Sequence, residues 1–257
     1  MKATKVNYFF SGKSKSQTVV LLHGYLENQH IWDDYLVLLD QYNLLIPDLP
    51  GFGESSIRNL TSPSYISDTS ILLIDLLTEL EVETFHLVGN SMGGYVALEI
   101  ASRIPQAIKS LCLISATPFS DSALKLKQRN RELKFLDLGK RELLLQLFIQ
   151  QQENEKLQHY FKMSTSVISK ATMKCAITGI KNREDHQTML QNPLFPIGVI
   201  YGGNDSVIPI NNLKCYLSQQ PNIAQLELAN TGHMAAFLKP DIIIHSLCNF
   251  FTNKILS

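Results

Sequence analysis

The stretch VGNSMGGYVALEIA, residues 88–101, places a serine between glycines at the point where one structural pattern replaces another. The preceding run, Thr84–Val88, is apolar and rich in strand-forming residues, whereas residues 95–100 carry apolar side chains at helical spacing. Ser91 therefore lies on the turn between a strand and a helix. A turn this sharp forces its central residue into a strained backbone conformation.

Two glycines flank this serine where such a turn needs them. Gly89 and Gly93 lie two positions before and after it, where larger side chains would collide. The resulting G-x-S-x-G pattern is typical of a turn that exposes a nucleophilic serine. A serine hydroxyl is a poor nucleophile at neutral pH, and it needs a base within hydrogen-bond reach that is itself oriented by a carboxylate.

A histidine and an aspartate elsewhere in the chain can supply these two groups. His233, in ANTGHMAAF, is the best candidate for the base because a Thr-Gly turn connects it to an apolar strand. Asp205, in YGGNDSVIP, directly follows another predicted strand and is the candidate acid. The chain order Ser91, Asp205, His233 is the order expected of one group of serine hydrolases. Asp121 is the fallback acid.

The tetrahedral intermediate of such a reaction needs N–H donors for its oxyanion. The backbone N–H of Met92, at the start of the helix after Ser91, is one candidate. The loop HGYLEN, residues 23–28, follows an apolar strand and offers the N–H of Tyr25 as the second. His23 ends that strand, and we expect it to fix the loop by hydrogen bonding rather than to act as a second base.

Apolar runs along the chain predict strands, and their continuous apolarity indicates burial on both faces of a sheet. Helical patterns alternate with these runs, as a parallel sheet covered by helices requires. The predicted fold class is therefore α/β. The predicted strands are Thr18–Leu22, Asn43–Pro47, Thr84–Gly89, Ser110–Ser115, Ile197–Gly202 and Ala224–Ala229, and the predicted helices lie near Gln29–Asp40, Tyr65–Leu80, Met92–Ile104, Ile210–Gln219 and Asp241–Asn253.

Residues 119–190 interrupt this alternation, because they show amphipathic helical pattern without a convincing strand. They follow a strand at the carboxyl edge of the sheet, where open parallel sheets bind ligands. We therefore expect a helical cap at 119–190, inserted into a core formed by residues 1–118 and 191–257.

The predicted cap contains 13 Lys and Arg against 8 Asp and Glu, although the whole chain is neutral with 23 residues of each sign. Docking of the cap onto an acidic core explains this excess. A sharper hypothesis is that some cap cations face the pocket and favour substrates with a carboxylate, with Arg183 as the candidate.

Composition excludes several partners. A net charge of zero gives no global attraction to nucleic acid or to an anionic membrane, and no apolar run is long enough to span a bilayer. The four cysteines are far apart without a C-x-x-C pair, which favours buried free thiols in a reducing compartment. We expect a cytoplasmic protein that acts on a small molecule without metal or cofactor, and its oligomeric state is open.

Five stretches together resemble the α/β-hydrolase superfamily over nearly the whole chain. They are LLHGYLENQHIW, DLPGFGES, GNSMGG, YGGNDSVIP and TGHMAAFLKP. The resemblance implies an eight-stranded, mostly parallel sheet, a helical cap after the sixth strand, and a triad of Ser91, His233 and Asp205. It also implies that DLPGFGES is mainly a structural turn. It argues against the dehalogenase and epoxide-hydrolase branches, which have an aspartate in place of Ser91.

The default activity is that of a carboxylesterase, with an acyl-enzyme on Ser91 and no cofactor. GNSMGG is also similar to carbon–carbon bond hydrolases of ring-cleavage products, where the residue at Asn90 helps to shape the oxyanion site. This resemblance makes Asn90 a candidate substrate-binding residue. That group usually has a tryptophan where this chain has Met234. HGYLEN followed by Ile31-Trp32 resembles cofactorless lyases of menaquinone synthesis. A receptor that retains the triad and holds a small ligand is the non-enzyme alternative.

Overall fold

The computed structural model describes residues 5–57, 63–152 and 154–256. Within them, seven strands form one sheet in the order β1-β3-β2-β4-β5-β6-β7. All neighbouring strands are parallel except β1, which pairs antiparallel with β3. The strands are β1 Tyr8–Phe10, β2 Thr18–Leu22, β3 Asn43–Pro47, β4 Phe85–Asn90, β5 Ile108–Ile114, β6 Ile197–Gly202 and β7 Ile223–Leu228. The mostly parallel α/β class is confirmed.

The six predicted strands are present, with ends shifted by at most two residues. β1 is not among them, because a three-residue edge strand is too short to produce a periodic pattern. The resemblance implied eight strands, and this number is corrected to seven for the described residues. Before β2 the described chain offers only residues 5–17, and the turn at Gly12, with φ of 85°, leaves room there for one short strand.

Helices surround the sheet. The α-helices in the described residues are α1 Tyr65–Glu79, α2 Met92–Arg103, α3 Ala123–Asp137, α4 Arg141–Gln150, α5 Glu155–Thr165, α6 Lys170–Lys181, α7 Gln187–Gln191, α8 Ile210–Leu217, α9 Ala235–Leu238 and α10 Pro240–Asn253. The pattern at Gln29–Asp40 forms a 3₁₀ helix. Across the part of the chain that is described, no helix has the length and apolarity to cross a membrane.

Burial follows the position of each strand in the sheet. Every residue of β2, β3, β4 and β6 is buried, as expected for strands covered on both faces. β7 lies at the edge, and its burial alternates with partial or full exposure. β4 therefore holds its carboxyl end, and the turn after it, at the centre of the sheet.

Helices α3 to α7 all lie between β5 and β6. Among the described residues of 119–190, no strand interrupts them. α3 packs against α6, and α6 packs against α1 of the sheet-covering layer. The predicted insertion is thus helical, and its role as a cap stays a prediction.

All four cysteines lie in the described residues, and no disulfide joins them. Cys112 is buried in β5, as expected, and burial raises the pKa of its thiol. Cys175 and Cys248 are partly buried, and Cys215 is exposed on α8. The expectation of buried thiols is therefore wrong for Cys215, because that helix turns its outer face to solvent.

Candidate active site

Ser91 lies on the turn between β4 and α2 with φ of 50° and ψ of −115°. A positive φ in a residue with a side chain costs about 1–3 kcal/mol, so the surrounding structure must enforce it. The N–H of Ser91 donates to the carbonyl of Ile114, at 2.9 Å, and its carbonyl accepts from the N–H of Gly94, at 2.9 Å. These two bonds anchor Ser91 to the neighbouring strand β5 and to the beginning of α2.

The two flanking glycines have no space for a side chain. A Cβ on Gly89 would lie 2.5 Å from the carbonyl oxygen of Gly93. A Cβ on Gly93 would lie 2.3 Å from the carbonyl oxygen of Leu22, at the end of β2. The helix after Ser91 therefore packs directly against strand backbone, which is the physical reason for the glycines expected from the sequence.

Ser91, His233 and Asp205 form a continuous hydrogen-bonded chain. The distance from Ser91 Oγ to His233 Nε2 is 2.9 Å, and the distance from His233 Nδ1 to Asp205 Oδ2 is 2.8 Å. The carboxylate can only accept, so His233 carries its proton on Nδ1 and leaves Nε2 free to accept the serine proton. This is the arrangement of a nucleophile, a base and an orienting acid.

The loop after β6 fixes the carboxylate of Asp205. Its side chain is fully buried, and its second oxygen, Oδ1, accepts from the N–H groups of Val207, at 2.8 Å, and Ile208, at 3.1 Å. The N–H of Asn204 donates to the carbonyl of Thr231, at 3.0 Å, and so ties this loop to the loop that carries His233. This backbone bond helps to hold Asp205 and His233 relative to each other.

The fallback acid lies in a different network. Asp121 binds Arg183, with Oδ1 2.7 Å from Nη1, and Arg129, with Oδ2 3.4 Å from Nε. Both of its oxygens therefore face arginines. The geometry favours Asp205 as the partner of His233.

The two predicted oxyanion donors lie at element ends. Met92 is the first residue of α2, where backbone N–H groups have no partner within the helix. Tyr25 lies in the loop after β2, which runs beside β4 in the sheet. Their assignment as donors stays a prediction.

His23 fixes the beginning of this loop, as expected from the sequence. Its ring is buried, its Nδ1–H donates to the carbonyl of Gly24 at 2.8 Å, and its Nε2 accepts from the N–H of Leu49 at 2.8 Å. Burial lowers its pKa to about 4, so the ring is neutral at pH 7. Both ring nitrogens are engaged, which leaves neither for a second catalytic role.

Comparison with known proteins agrees with this architecture. A family model described as alpha/beta hydrolase fold matches residues 17–240. The chain belongs to the α/β-hydrolase fold family. The superfamily resemblance drawn from the five motifs is thereby confirmed.

Relatives of this α/β-hydrolase-fold chain differ in activity. It is 27% identical to the dihydrolipoyllysine-residue acetyltransferase component of the acetoin cleaving system of Cupriavidus necator, over 87% of this chain and 60% of that protein. A 2-hydroxy-6-oxononadienedioate/2-hydroxy-6-oxononatrienedioate hydrolase of Cupriavidus pinatubonensis is 26% identical over 86% of this chain and 81% of its own length. The chain spans only 60% to 62% of the acetoin-system proteins of Cupriavidus necator and Pseudomonas putida.

Among solved structures, a thermophilic esterase from Thermogutta terrifontis superposes with a TM-score of 0.84 at 21% identity. The superposition covers 99% of this chain and 95% of that one. At this level of identity the likeness shows the shared fold.

Glu27 is a buried acid of this α/β-hydrolase-fold chain that is not among the predicted site residues. Its carboxylate accepts from the N–H of Gly24, at 2.5 Å, and from Nδ2 of Asn90, which lies 3.0 Å from both oxygens. Burial is the main reason that its pKa is raised to about 7, against the opposing effects of Gly24, Asn90 and His233. The only sequence signal is an acid three residues after a glycine in an otherwise uncharged loop.

Asn90, predicted to lie at the substrate, is fully buried beside Glu27. Its Oδ1 has no hydrogen-bond partner among the described residues. Its observed contact is therefore with the loop after β2, and a direct substrate contact stays a prediction.

Arg183 is clamped inside the protein. Its guanidinium binds Asp121, donates to the carbonyls of Phe119, at 3.1 Å, and Ile180, at 2.7 Å, and lies over the ring of Tyr95, 4.1 Å from its centroid. These contacts join the start and the end of the helical insertion to α2. They favour a structural role over the predicted contact with a substrate carboxylate.

Proposed function

We propose that this chain is a serine hydrolase that cleaves small carboxylic esters through an acyl-enzyme on Ser91. The observation that carries the proposal is the unbroken chain of hydrogen bonds from Ser91 Oγ through His233 to the buried carboxylate of Asp205. The substrate is a small molecule, water is the second reactant, and the reaction uses no metal or cofactor. A cytoplasmic location stays a prediction.

In the acylation step, Ser91 Oγ attacks the ester carbonyl while His233 Nε2 takes the hydroxyl proton. Asp205 holds the Nδ1–H tautomer and stabilises the imidazolium that forms. The proton then passes from Nε2 to the leaving alkoxide. In deacylation, water attacks the acyl carbon while His233 Nε2 takes a proton from it. The proton then passes to Ser91 Oγ as the bond between Oγ and the acyl carbon breaks, and the carboxylic acid leaves.

The oxyanion of each tetrahedral intermediate accepts hydrogen bonds from the N–H groups of Met92 and Tyr25. The position of Met92 at a helix start supports this assignment, because the local dipole there favours negative charge. Removing one such donor from a serine hydrolase typically costs about 10²–10³ in kcat.

We also propose that helices α3 to α7 act as a cap over this site. Two contacts between α5 and the loop after β2 support this: Ser164 Oγ donates to the carbonyl of Leu26, at 2.8 Å, and the N–H of Asn28 donates to the hydroxyl of Tyr160, at 3.1 Å. The helical insertion thus rests on the loop that carries Tyr25. Boundaries at 119 and 190 for this unit are part of the proposal.

Carbon–carbon bond cleavage is the second candidate. It is favoured by the similarity to the 2-hydroxy-6-oxononadienedioate hydrolase of Cupriavidus pinatubonensis, which covers most of both chains. Met234, in place of the tryptophan usual in that group, is the observation against it.

The proposal is tested by hydrolysis of p-nitrophenyl acetate and butyrate, with mass spectrometry after treatment with a fluorophosphonate probe. The wild type should turn over many times and gain one label on Ser91. Ser91→Ala should lose both signals. Ser218→Ala removes the hydroxyl of an exposed serine at the end of α8 and should behave as the wild type.

Each other outcome identifies a different function. Labelling of Ser91 without ester turnover, together with cleavage of a ring-cleavage diketone, would favour the second candidate. Labelling without turnover of either substrate would favour a lyase or a receptor. Absence of both labelling and turnover would contradict the assignment of Ser91 as a nucleophile.

A further inference from the structure

Glu27 lies between the two backbone segments that carry the proposed oxyanion donors. Its neighbour Gly24 directly precedes Tyr25, and its other partner, Asn90, directly precedes Ser91 and lies two residues before Met92. One buried carboxylate therefore contacts the residues next to both donors. Only 2% of Glu27 is exposed, so water does not compete for these hydrogen bonds.

The loop after β2 needs such an anchor because its conformation is strained. Leu26 has φ of 66°, and the N–H of Glu27 turns back to the carbonyl of Gly24 over a long 3.4 Å. A Cβ on Gly24 would lie 2.8 Å from Oε1 of Glu27, so the carboxylate packs directly against the loop backbone. Without this contact, only the weak backbone bond between Gly24 and Glu27 would remain within the turn. Ser164 and Tyr160 would still bind the loop from α5, but neither ties it to the strand end at Asn90.

We propose that Glu27 is a positioning residue whose carboxylate ties the loop carrying the Tyr25 N–H to the strand end carrying Ser91 and the Met92 N–H. It touches neither the nucleophile nor the base in this role. It sets the distance between the two oxyanion donors. The inference rests on the proposed function for its catalytic consequence, but the link itself is independent of which substrate is cleaved.

Other groups also face this carboxylate. His233 on the loop after β7 and Tyr160 on α5 interact with it electrostatically, and Asn90 on β4 donates to it. A change at Glu27 can therefore alter the pH profile through His233 as well as the loop geometry. The test must separate these two effects.

The first measurement is steady-state hydrolysis of p-nitrophenyl butyrate by Glu27→Ala. A displaced oxyanion donor should lower kcat by at least about 10-fold and leave KM within about 3-fold, because the donor acts mainly in the transition state. Glu99→Ala is the matched control, since Glu99 is also a buried acid with two partners, His186 and Arg103. It should lose stability without this selective loss of kcat.

Glu27→Gln is the conservative variant. Its amide oxygen can still accept from Gly24, and its amide nitrogen can donate to Oδ1 of Asn90 once the Asn90 amide turns over. That oxygen has no partner among the residues that the structure describes. After the turn, one bond accepted by Oδ1 replaces the bonds that Nδ2 donates to Glu27, so the link between Gly24 and Asn90 remains. The Gln variant should therefore keep kcat within about 3-fold of the wild type. A Gln variant as slow as the Ala variant would overturn the proposal.

Asn90→Ala removes the bonds between Asn90 and Glu27 by changing Asn90 instead. This variant replaces Glu27→Ala in the test if Glu27→Ala does not fold. It should lower kcat in the same way, and the double variant should be no slower than the slower single variant, because both changes break one link. Independent, multiplying losses would contradict a shared link.

Amide hydrogen exchange of the segment 20–32 gives a readout that does not depend on activity. Glu27→Ala should raise exchange there, and Glu99→Ala should not. An unchanged exchange rate, an equal effect of Glu99→Ala, or a loss confined to KM would overturn the proposal. Absence of ester turnover in the wild type would contradict the proposed function alone, because the exchange comparison still tests the link.

Discussion

Nδ1 of His233 lies 2.8 Å from Oδ2 of Asp205, although the two residues are 28 positions apart in the chain. Asp205 follows β6 and His233 follows β7, and these strands are parallel neighbours. Parallel neighbours end at the same edge of the sheet, so the loops that follow them meet there. The hydrogen-bonded chain of Ser91, His233 and Asp205 therefore forms because the parallel strands β4, β6 and β7 end at the same edge of the sheet.

Asp205→Asn should lower kcat by about 10³–10⁴-fold with little change in KM. The amide would favour the wrong tautomer of His233 and could not stabilise the imidazolium. Steady-state hydrolysis of p-nitrophenyl acetate measures this. Asp121→Asn is the matched control and should keep kcat within about 3-fold; a larger loss of kcat in that variant would restore Asp121 as the acid.

Arg183→Ala should destabilise the protein by about 3 kcal/mol, because it leaves the buried carboxylate of Asp121 with one weaker partner. Urea unfolding measures the free energy of unfolding, with the exposed Arg131→Ala as the control. The preference for a carboxylate-bearing ester over its neutral analogue should be unchanged. A 10-fold fall in that preference with normal stability would instead support the contact with substrate predicted from sequence.

Gly93→Ala should destabilise the protein by about 3 kcal/mol or more and abolish activity, because its Cβ would strike the backbone of β2. Gly139→Ala is the control. It has φ of 74° with no atom within 4 Å of a Cβ, so only backbone strain of about 1 kcal/mol is expected. Thermal unfolding of both variants separates the clash from the strain. Equal losses would contradict the close approach at Gly93.

The stability of the wild type relative to Glu27→Gln should fall as the pH rises from 4.5 to 7. Burial raises the pKa of Glu27 to about 7, so the folded state holds this proton more tightly than the unfolded state. The contribution of Glu27 to the free energy of unfolding is therefore largest below pH 4.5. It declines as the pH rises to 7 and above, by up to about 3 kcal/mol in total.

Urea unfolding of both proteins between pH 4.5 and 8 measures this difference. The uncharged glutamine does not titrate, and the opposite effect of the buried His23, whose pKa is lowered to about 4, is common to both proteins. The two curves should diverge through this window. Parallel curves would show that the pKa of Glu27 is not raised by folding.

Features that are encoded within one short stretch of the chain were predictable from sequence. The turn at Ser91 is encoded by a strand pattern, a helix pattern and two glycines within a short stretch, and the strand ends before Asp205 and His233 are encoded by apolar runs. The short edge strand β1 was not predictable, because three residues carry no periodicity and its position depends on pairing with β3.

The sequence by itself therefore determined the α/β class, the turn at Ser91 and which three residues follow strands β4, β6 and β7. Only the tertiary structure decided which partners the charged side chains have. It paired Arg183 with Asp121 and placed the carboxylate of Glu27 between Gly24 and Asn90. The reason is physical. Backbone turns and strands depend on neighbouring residues, whereas the burial and partners of a charged side chain depend on segments that are distant in the chain.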